Sequence, residues 1–271
     1  MIKLLELFGG VGACTKAFER LGIEFEIADY VEIDKYAVAS YNAIHGTDFK
    51  PQDIRFWDKD IEVDFIMHGS PCQDFSLAGK QLGGDENSGT RSSLMYETLR
   101  IVEKLNPKYV VWENVRNVLS ERHRHNFNNY LNRMESLGYK NTYGLLNALD
   151  YGIPQNRVRM FTISVREDLG FEFVIPQKQE LTLKLKDLLE KETDERFFLS
   201  DEQTESLKAE ETTDDCLHIK NATKKGYLEA FVGDSVFFSY ATSKTRRARV
   251  GRAISHTLQT LCTIGVVVNE S

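Results

Sequence analysis

The chain has 271 residues, 41% of them hydrophobic, with a formal net charge of -7. That length buries a sizeable core in one large domain or in one domain with a smaller lobe, and the acidic balance excludes a generally polyanion-binding surface while leaving local patches open. The four cysteines, Cys14, Cys72, Cys216 and Cys262, form no CxxC pair and stand at no zinc-ligand spacing; no apolar run reaches the length of a membrane helix, and "MIKLLELFGG" is too short for a signal peptide. A cytoplasmic protein with reduced thiols, no metal and no membrane partner is the expectation.

In chain order, "IKLLELF" reads as a strand, "GACTKAFERLG" as a helix ending at Gly22, "FEIADYVEI" as a strand and "DKYAVASYNAIHG" as a helix stopped by Gly46. There follow the strand "VDFIMHG", the helix "SSLMYETLRIVEKLN" closed by Pro107, the strand "KYVVWENV", the helix "HNFNNYLNRMESLG", and two strand-like runs, "YKNTYGLLNALDYG" and "RVRMFTISV". Strands alternating with helices predict βαβ units and a parallel sheet covered on both faces. The pattern fails after Pro176, where "SDEQTESLKAEETTDD" reads as a solvated connector and shorter β-like runs follow. The expected division is a catalytic and cofactor-binding domain over 1–175 and a second lobe over 176–271.

Two constellations carry chemistry. The first is "ELFGGVGA", where glycines 9, 10 and 12 allow a tight turn and close approach of a ligand, and where the next helix is expected to present free amides. No glycine closes a dinucleotide GxGxxG. Glu32 ends the second strand about 20 residues on, the distance of a ribose-hydroxyl acceptor. Asp53 in "PQDIRFW", expected after a third strand, could accept from an adenine amino group. The three together predict an adenosine-containing cofactor, against the plain alternative of a structural turn.

The second constellation is "GSPCQDFS" after the strand "VDFIMH", which places Cys72 where open α/β sheets carry their chemistry. A small buried thiol in a turn is the plain alternative. Pro71 stiffens the approach, the strand end exposes the loop, and "LAGKQLGGDENSGTRS" reads as a mobile lid beside it.

With "ELFGGVGACTKAFERLG", "GSPCQDFS", "WENV" and "QNRVRMF" in that order, the chain resembles the cytosine-5 DNA methyltransferases of bacterial and phage type, several of which belong to restriction-modification systems. The resemblance implies a Rossmann-like, S-adenosylmethionine-dependent α/β sheet with a smaller, mainly β target-recognition lobe. It assigns Cys72 as nucleophile, Glu113 as the carboxylate facing the target base, and Arg159 and Arg157 as the cations beside it. Phe8, Gly9, Gly10, Val11, Gly12, Glu32, Ile33, Asp53, Ile54 and Pro71 fall where the family binds its cofactor. Gln73, Ser76 and Arg91 fall on the DNA side of the nucleophile loop.

The chemistry requires these residue types. Carbon 5 of cytosine is a poor nucleophile until a thiolate adds at carbon 6. An acid at ring nitrogen 3 relieves the charge that this addition builds, and an arginine near the carbonyl oxygen stabilises it. A stacked base is out of reach, so the cytosine must be rotated out of the duplex. "TSKTRRARVGR" carries Lys244, Arg246, Arg247, Arg249 and Arg252 with no acid among them, and is expected to contact double-stranded DNA.

The closing Pro-x-Glu-Cys segment and Gly-Asn-Ser helix of the family are not among the 271 residues. The resemblance therefore implies a truncated form or a split enzyme whose second polypeptide supplies them. A tRNA methyltransferase of the same family and a non-catalytic DNA-binding relative are the alternative readings.

Overall fold

The computed structural model describes residues 1–71, 75, 83–86, 88–209, 216–239, 249–258 and 263–268. Cys72, Gln73, Ser76, Lys244, Arg246, Arg247 and much of the expected lid lie outside these residues. The chain divides into two compact units, one of Met1–Leu146 with Val158–Pro176, the other of Asn147–Arg157 with Gln177–Ser271. The segment 147–157, read from sequence with the catalytic domain, thus belongs to the second unit.

The first unit is built on β1 (Ile2–Leu7), α1 (Ala13–Leu21), β2 (Phe25–Val31), α2 (Lys35–His45), β3 (Phe65–His68), α3 (Met95–Leu105), β4 (Tyr109–Val115), α4 (Arg124–Ser136) and β5 (Tyr139–Asn147). After β6 (Gln155–Asn156), which lies in the second unit, β7 (Val158–Arg166) completes a six-stranded sheet of order β2-β1-β3-β4-β7-β5. The class is α/β, as read. The α-helices stop where the sequence places glycine or asparagine: Gly22, Gly46 and Asn106 adopt the left-handed conformation at the ends of α1, α2 and α3. Apolar faces of strands and helices meet in one core that includes Leu5, Leu7, Ile66, Val110, Trp112, Phe127 and Tyr130, all fully buried.

Two expectations about the sheet are corrected. It is mixed rather than parallel, because β7 pairs antiparallel with β4. No crossover helix separates β5 from β7, and a parallel return needs a connection that carries one. No strand precedes Asp53 after α2; Asp53 instead caps a 3-10 turn, Ile54–Phe56, ahead of β3. The motif "PQDI" has no apolar run before it long enough to pair.

The second unit holds β8 (Leu217–Lys220) paired antiparallel with β9 (Tyr227–Ala230), and β10 (Ser235–Phe237) between β11 (Arg249–Gly251) and β13 (Ile264–Val266). β12 (Ser255–His256) pairs with β6. Its small core is Ile219, Ala230 and Val236. Among its described residues it is mainly β, with one short α-helix, α5 (Asp201–Leu207).

Candidate active site

Strand register brings the chemistry to one edge of the first unit. Leu7 is level with Val31 on one side and His68 on the other, and His68 is level with Trp112. Phe8, Glu32 and Gly69 therefore leave their parallel strands side by side, with Glu113 beside them near the end of β4. The neighbours of β1 are reached in opposite directions, β2 on one side and β3 on the other, and a crevice at such a reversal is where open α/β sheets bind ligands.

The turn after β1 is wound through left-handed backbone at Phe8 (φ 54°), Gly10 (φ 55°) and Gly12 (φ 83°). A non-glycine residue in that region is strained, and such strain persists where the surroundings fix it. Here the Tyr30 hydroxyl donates to the Gly10 carbonyl at 2.6 Å, Gly12 N–H donates to the Gly9 carbonyl at 2.9 Å, and Gly10 N–H donates to Glu32 Oε2 at 3.2 Å. The other Glu32 oxygen accepts from the Ile33 and Asp34 amides at 2.8 and 2.9 Å. Val11 and Ile33 are exposed apolar side chains on the turn and after β2, 53% and 63% accessible, which leaves them open to a flat ligand.

The expectation of free helix amides at this turn is corrected. Glu6, only 2% exposed, accepts from the Cys14 and Thr15 amides at 3.1 and 3.2 Å and from the Thr15 hydroxyl. A buried carboxylate therefore fills the place where a phosphate would sit, and burial raises its pKa. The arrangement suits an adenosyl group without phosphate and disfavours a dinucleotide.

Asp53 is engaged by its neighbour: both carboxylate oxygens accept from Arg55, which holds its pKa below the usual carboxylate range. Ile54 is 4% exposed and packs in the core, so its side chain belongs to the fold rather than to a ligand surface.

The loop that carries Cys72 is fastened on both sides of that residue. Asn114 Nδ2 donates to the Ser70 carbonyl at 3.2 Å, Ser92 Oγ donates to the Pro71 carbonyl at 2.9 Å, and Asn117 Nδ2 donates to the Phe75 carbonyl. Trp112 Nε1 donates to Ser70 Oγ at 3.0 Å, and Phe75 is fully buried with its ring edge-on to His123. A Cβ at Gly69 would stand 3.9 Å from Glu113 Oε2, so the start of the loop lies beside that carboxylate.

Glu113 in turn pairs with Arg159, Nε to Oε1 at 3.0 Å. The register explains the pair. Glu113 is opposite Phe161 and Arg159 opposite Val115, so the two share one sheet face as a diagonal cross-strand pair. Both are half-buried.

Sequence reasoning missed the buried acid Glu6 and the three loop fasteners Asn114, Asn117 and Ser92. "ELFGG" carried a signal for the first, an acid one turn before a helix with no side-chain cap. Asn114 and Asn117 sit inside and just after "WENV", where polar residues at a strand end need partners.

In the second unit, Arg157 N–H donates to Asn147 Oδ1 at 3.0 Å and its carbonyl accepts from Ala148 N. Arg249 is exposed on β11. Arg252, expected on DNA, ion-pairs with Asp234 at 3.0 Å and lies over the Phe231 ring at 4.5 Å, which ties it into its own unit. Arg91 is exposed in the first unit, on the turn before α3. Among the described residues there is no His, Cys, Asp and Glu cluster able to hold a metal, and no helix long and apolar enough to cross a membrane.

Residues 2–263 match the C-5 cytosine-specific DNA methylase family. The type II methyltransferase M2.ScrFI of Lactococcus lactis subsp. cremoris is 36% identical over 258 residues, covering 75% of this chain and 71% of that protein. The orphan methyltransferase M.SPRI of Bacillus phage SPR is 31% identical, covering 78% of this chain and 55% of its own. The chain spans about half the length of the phage relative and about seven tenths of the lactococcal one. Among solved structures, a DNMT2 variant from Spodoptera frugiperda superposes with a TM-score of 0.62 at 25% identity, covering 76% of this chain and 64% of that one.

Proposed function

Because the chain belongs to the C-5 cytosine-specific DNA methylase family, we propose that it transfers a methyl group from S-adenosylmethionine to carbon 5 of cytosine in duplex DNA, through a covalent bond to Cys72. The turn Phe8–Gly12 and the Glu32 carboxylate would hold the adenosyl group, with Val11 and Ile33 against its flat faces. When bound, S-adenosylmethionine supplies an electrophilic methyl group.

The residues of this chain do the rest. The Cys72 thiolate adds to carbon 6 of a cytosine rotated out of the duplex, a step that costs a few kcal/mol in lost stacking and pairing. The electron pair of the carbon 5–carbon 6 bond is pushed toward the ring nitrogen and carbonyl oxygen. Glu113 faces nitrogen 3 and shares a proton with it as the charge builds. Arg159 orients that carboxylate and lies beside the carbonyl oxygen, where a fixed cation stabilises developing charge. Once carbon 5 carries the methyl group, water takes the carbon 5 proton, and the electron pair of that bond restores the carbon 5–carbon 6 double bond and expels the thiolate. Arg157 is assigned as a second cation of the base pocket. Lys244, Arg246, Arg247 and Arg249 are assigned to phosphate and base contacts, as are Gln73, Ser76 and Arg91.

What supports this reading most is the Glu113–Arg159 ion pair beside the start of the loop that carries Cys72. A structural ion pair would not need a neighbouring loop fastened by three separate side chains. The direct experiment supplies labelled S-adenosylmethionine with duplex DNA or with tRNA and maps the modified base. Label at carbon 5 of cytosine in DNA is the expected result. Label confined to tRNA would move the substrate, and label on an exocyclic amine would overturn the mechanism.

A further inference from the structure

His45 closes α2, and its side chain is only 1% exposed although it lies beside the Phe8–Gly12 turn. Its ring sits against Tyr41, centroids 4.5 Å apart, with Nδ1 3.3 Å from Glu19 Oε1 and Nε2 3.3 Å from the Val11 carbonyl oxygen. The ring occupies the space that the turn leaves open: a Cβ at Gly12 would come within 2.3 Å of His45 Nε2. Both groups facing the ring nitrogens are acceptors only. A neutral imidazole has one N–H and satisfies one of them, whereas the imidazolium donates to both. The last turn of a helix also favours a cation.

We infer that His45 is a proton-sensitive brace of the cofactor turn: protonated, it ties the Val11 carbonyl to Glu19 of α1 and sets the turn for the adenosyl group, and loss of the proton releases one of the two. The inference rests on reading that turn as the S-adenosylmethionine site. The groups around the ring are Glu19 and Lys16 from α1, which pair at 2.6 Å, Tyr41 from α2, and Glu6 of β1 behind Thr15, whose hydroxyl contacts both Glu6 and Tyr41. Lys16 and His45 together hold the Glu19 carboxyl below its usual pKa, so Glu19 remains an acceptor throughout the range in which an imidazole titrates. With the brace released, the ligand must order the turn itself. Affinity therefore falls as pH rises, and binding takes up protons.

The test is calorimetric titration of the full chain with S-adenosylmethionine between about pH 6 and about pH 8.5, in buffers of different ionisation enthalpy. The wild type is expected to weaken about 3- to 10-fold across this range, the loss of one hydrogen bond, with net proton uptake. His45→Gln keeps a donor for Val11 that cannot titrate, and its affinity should lose that part of the pH dependence. His45→Phe keeps the packing on Tyr41 and loses both donors, so it should bind weakly at every pH. Imidazole nitrogen NMR of the ligand-free wild type, expected to show both His45 nitrogens protonated where S-adenosylmethionine binds most tightly, decides the matter if a variant fails to fold. A neutral ring there, or identical profiles for wild type and His45→Gln, overturns the brace. Absence of any S-adenosylmethionine binding by the wild type overturns the functional reading beneath it.

Discussion

At the scale of single residues, the account divides the work between a thiol, an acid and a cation, and each can be removed without dismantling the fold. Glu113 and Arg159 form a largely buried pair, in which an amide at position 113 keeps an acceptor for the arginine but not its counter-charge. Glu113→Gln should therefore fold with some loss of stability and lower the methyl-transfer rate by roughly 10²- to 10⁴-fold, since an amide cannot exchange a proton with ring nitrogen 3. Single-turnover kinetics with matched melting curves check both halves. Glu32→Ala should weaken S-adenosylmethionine by roughly 1 to 3 kcal/mol, through loss of a charged acceptor and of the bond that holds Gly10 N–H. Calorimetry reads this directly, and unchanged affinity would move the ribose contact elsewhere. The places of Glu32 and Glu113 at or near strand ends were legible, because each closes or follows an apolar run. Glu6 left a weaker signal, an acid ahead of a helix that starts from a glycine with no side-chain cap.

At the scale of elements, periodicity located every strand and α-helix of the first unit's sheet, since apolar spacing follows directly from which face must be buried. Strand direction was not legible. β7 reads like its neighbours in composition, and only the missing crossover helix before it makes it run antiparallel. The expectation of a strand ahead of Asp53 failed for a related reason: an acid was taken to mark a strand end where it caps a single turn. The proposed role of the loop that carries Cys72 supplies an element-scale prediction. Asn117→Ala removes the donor to the Phe75 carbonyl three residues beyond Cys72 and leaves the cofactor turn untouched. It should lower the transfer rate by about 10-fold or more through misplacement of the thiol, while S-adenosylmethionine affinity stays the same. Equal loss of affinity and rate would point to general unfolding of the loop's support instead.

For the whole molecule, pH and salt report on different parts. His68 is fully buried between Tyr130 and Thr98, and burial pushes its pKa down to about 3. In the unfolded chain it titrates near 6.5, so its contribution is complete above that pH and is lost as pH falls toward about 3. The loss is on the order of 5 kcal/mol. The melting temperature should fall over that window, and His68→Gln should flatten the fall. Salt dependence reports on DNA contact. Neutralising Arg246 and Arg247 should reduce the slope of log K against log salt by about 0.9 for each lost phosphate contact, whereas Arg252→Ala should chiefly destabilise its own unit, where Asp234 would lose its partner. A basic run reads alike in sequence whether its arginines meet phosphates or neighbouring acids, and the ion pair at Arg252 could not be foreseen. The central claim, covalent activation of cytosine by Cys72, is tested most directly with duplex DNA carrying 5-fluorocytosine in the methylated site, together with S-adenosylmethionine. Fluorine at carbon 5 cannot leave as a proton does, so the thiolate cannot be expelled. The account predicts a stable protein–DNA adduct that mass spectrometry maps to Cys72 and that Cys72→Ala does not form. Methylation of ordinary cytosine by Cys72→Ala, or full turnover on the fluorinated duplex without an adduct, would contradict it.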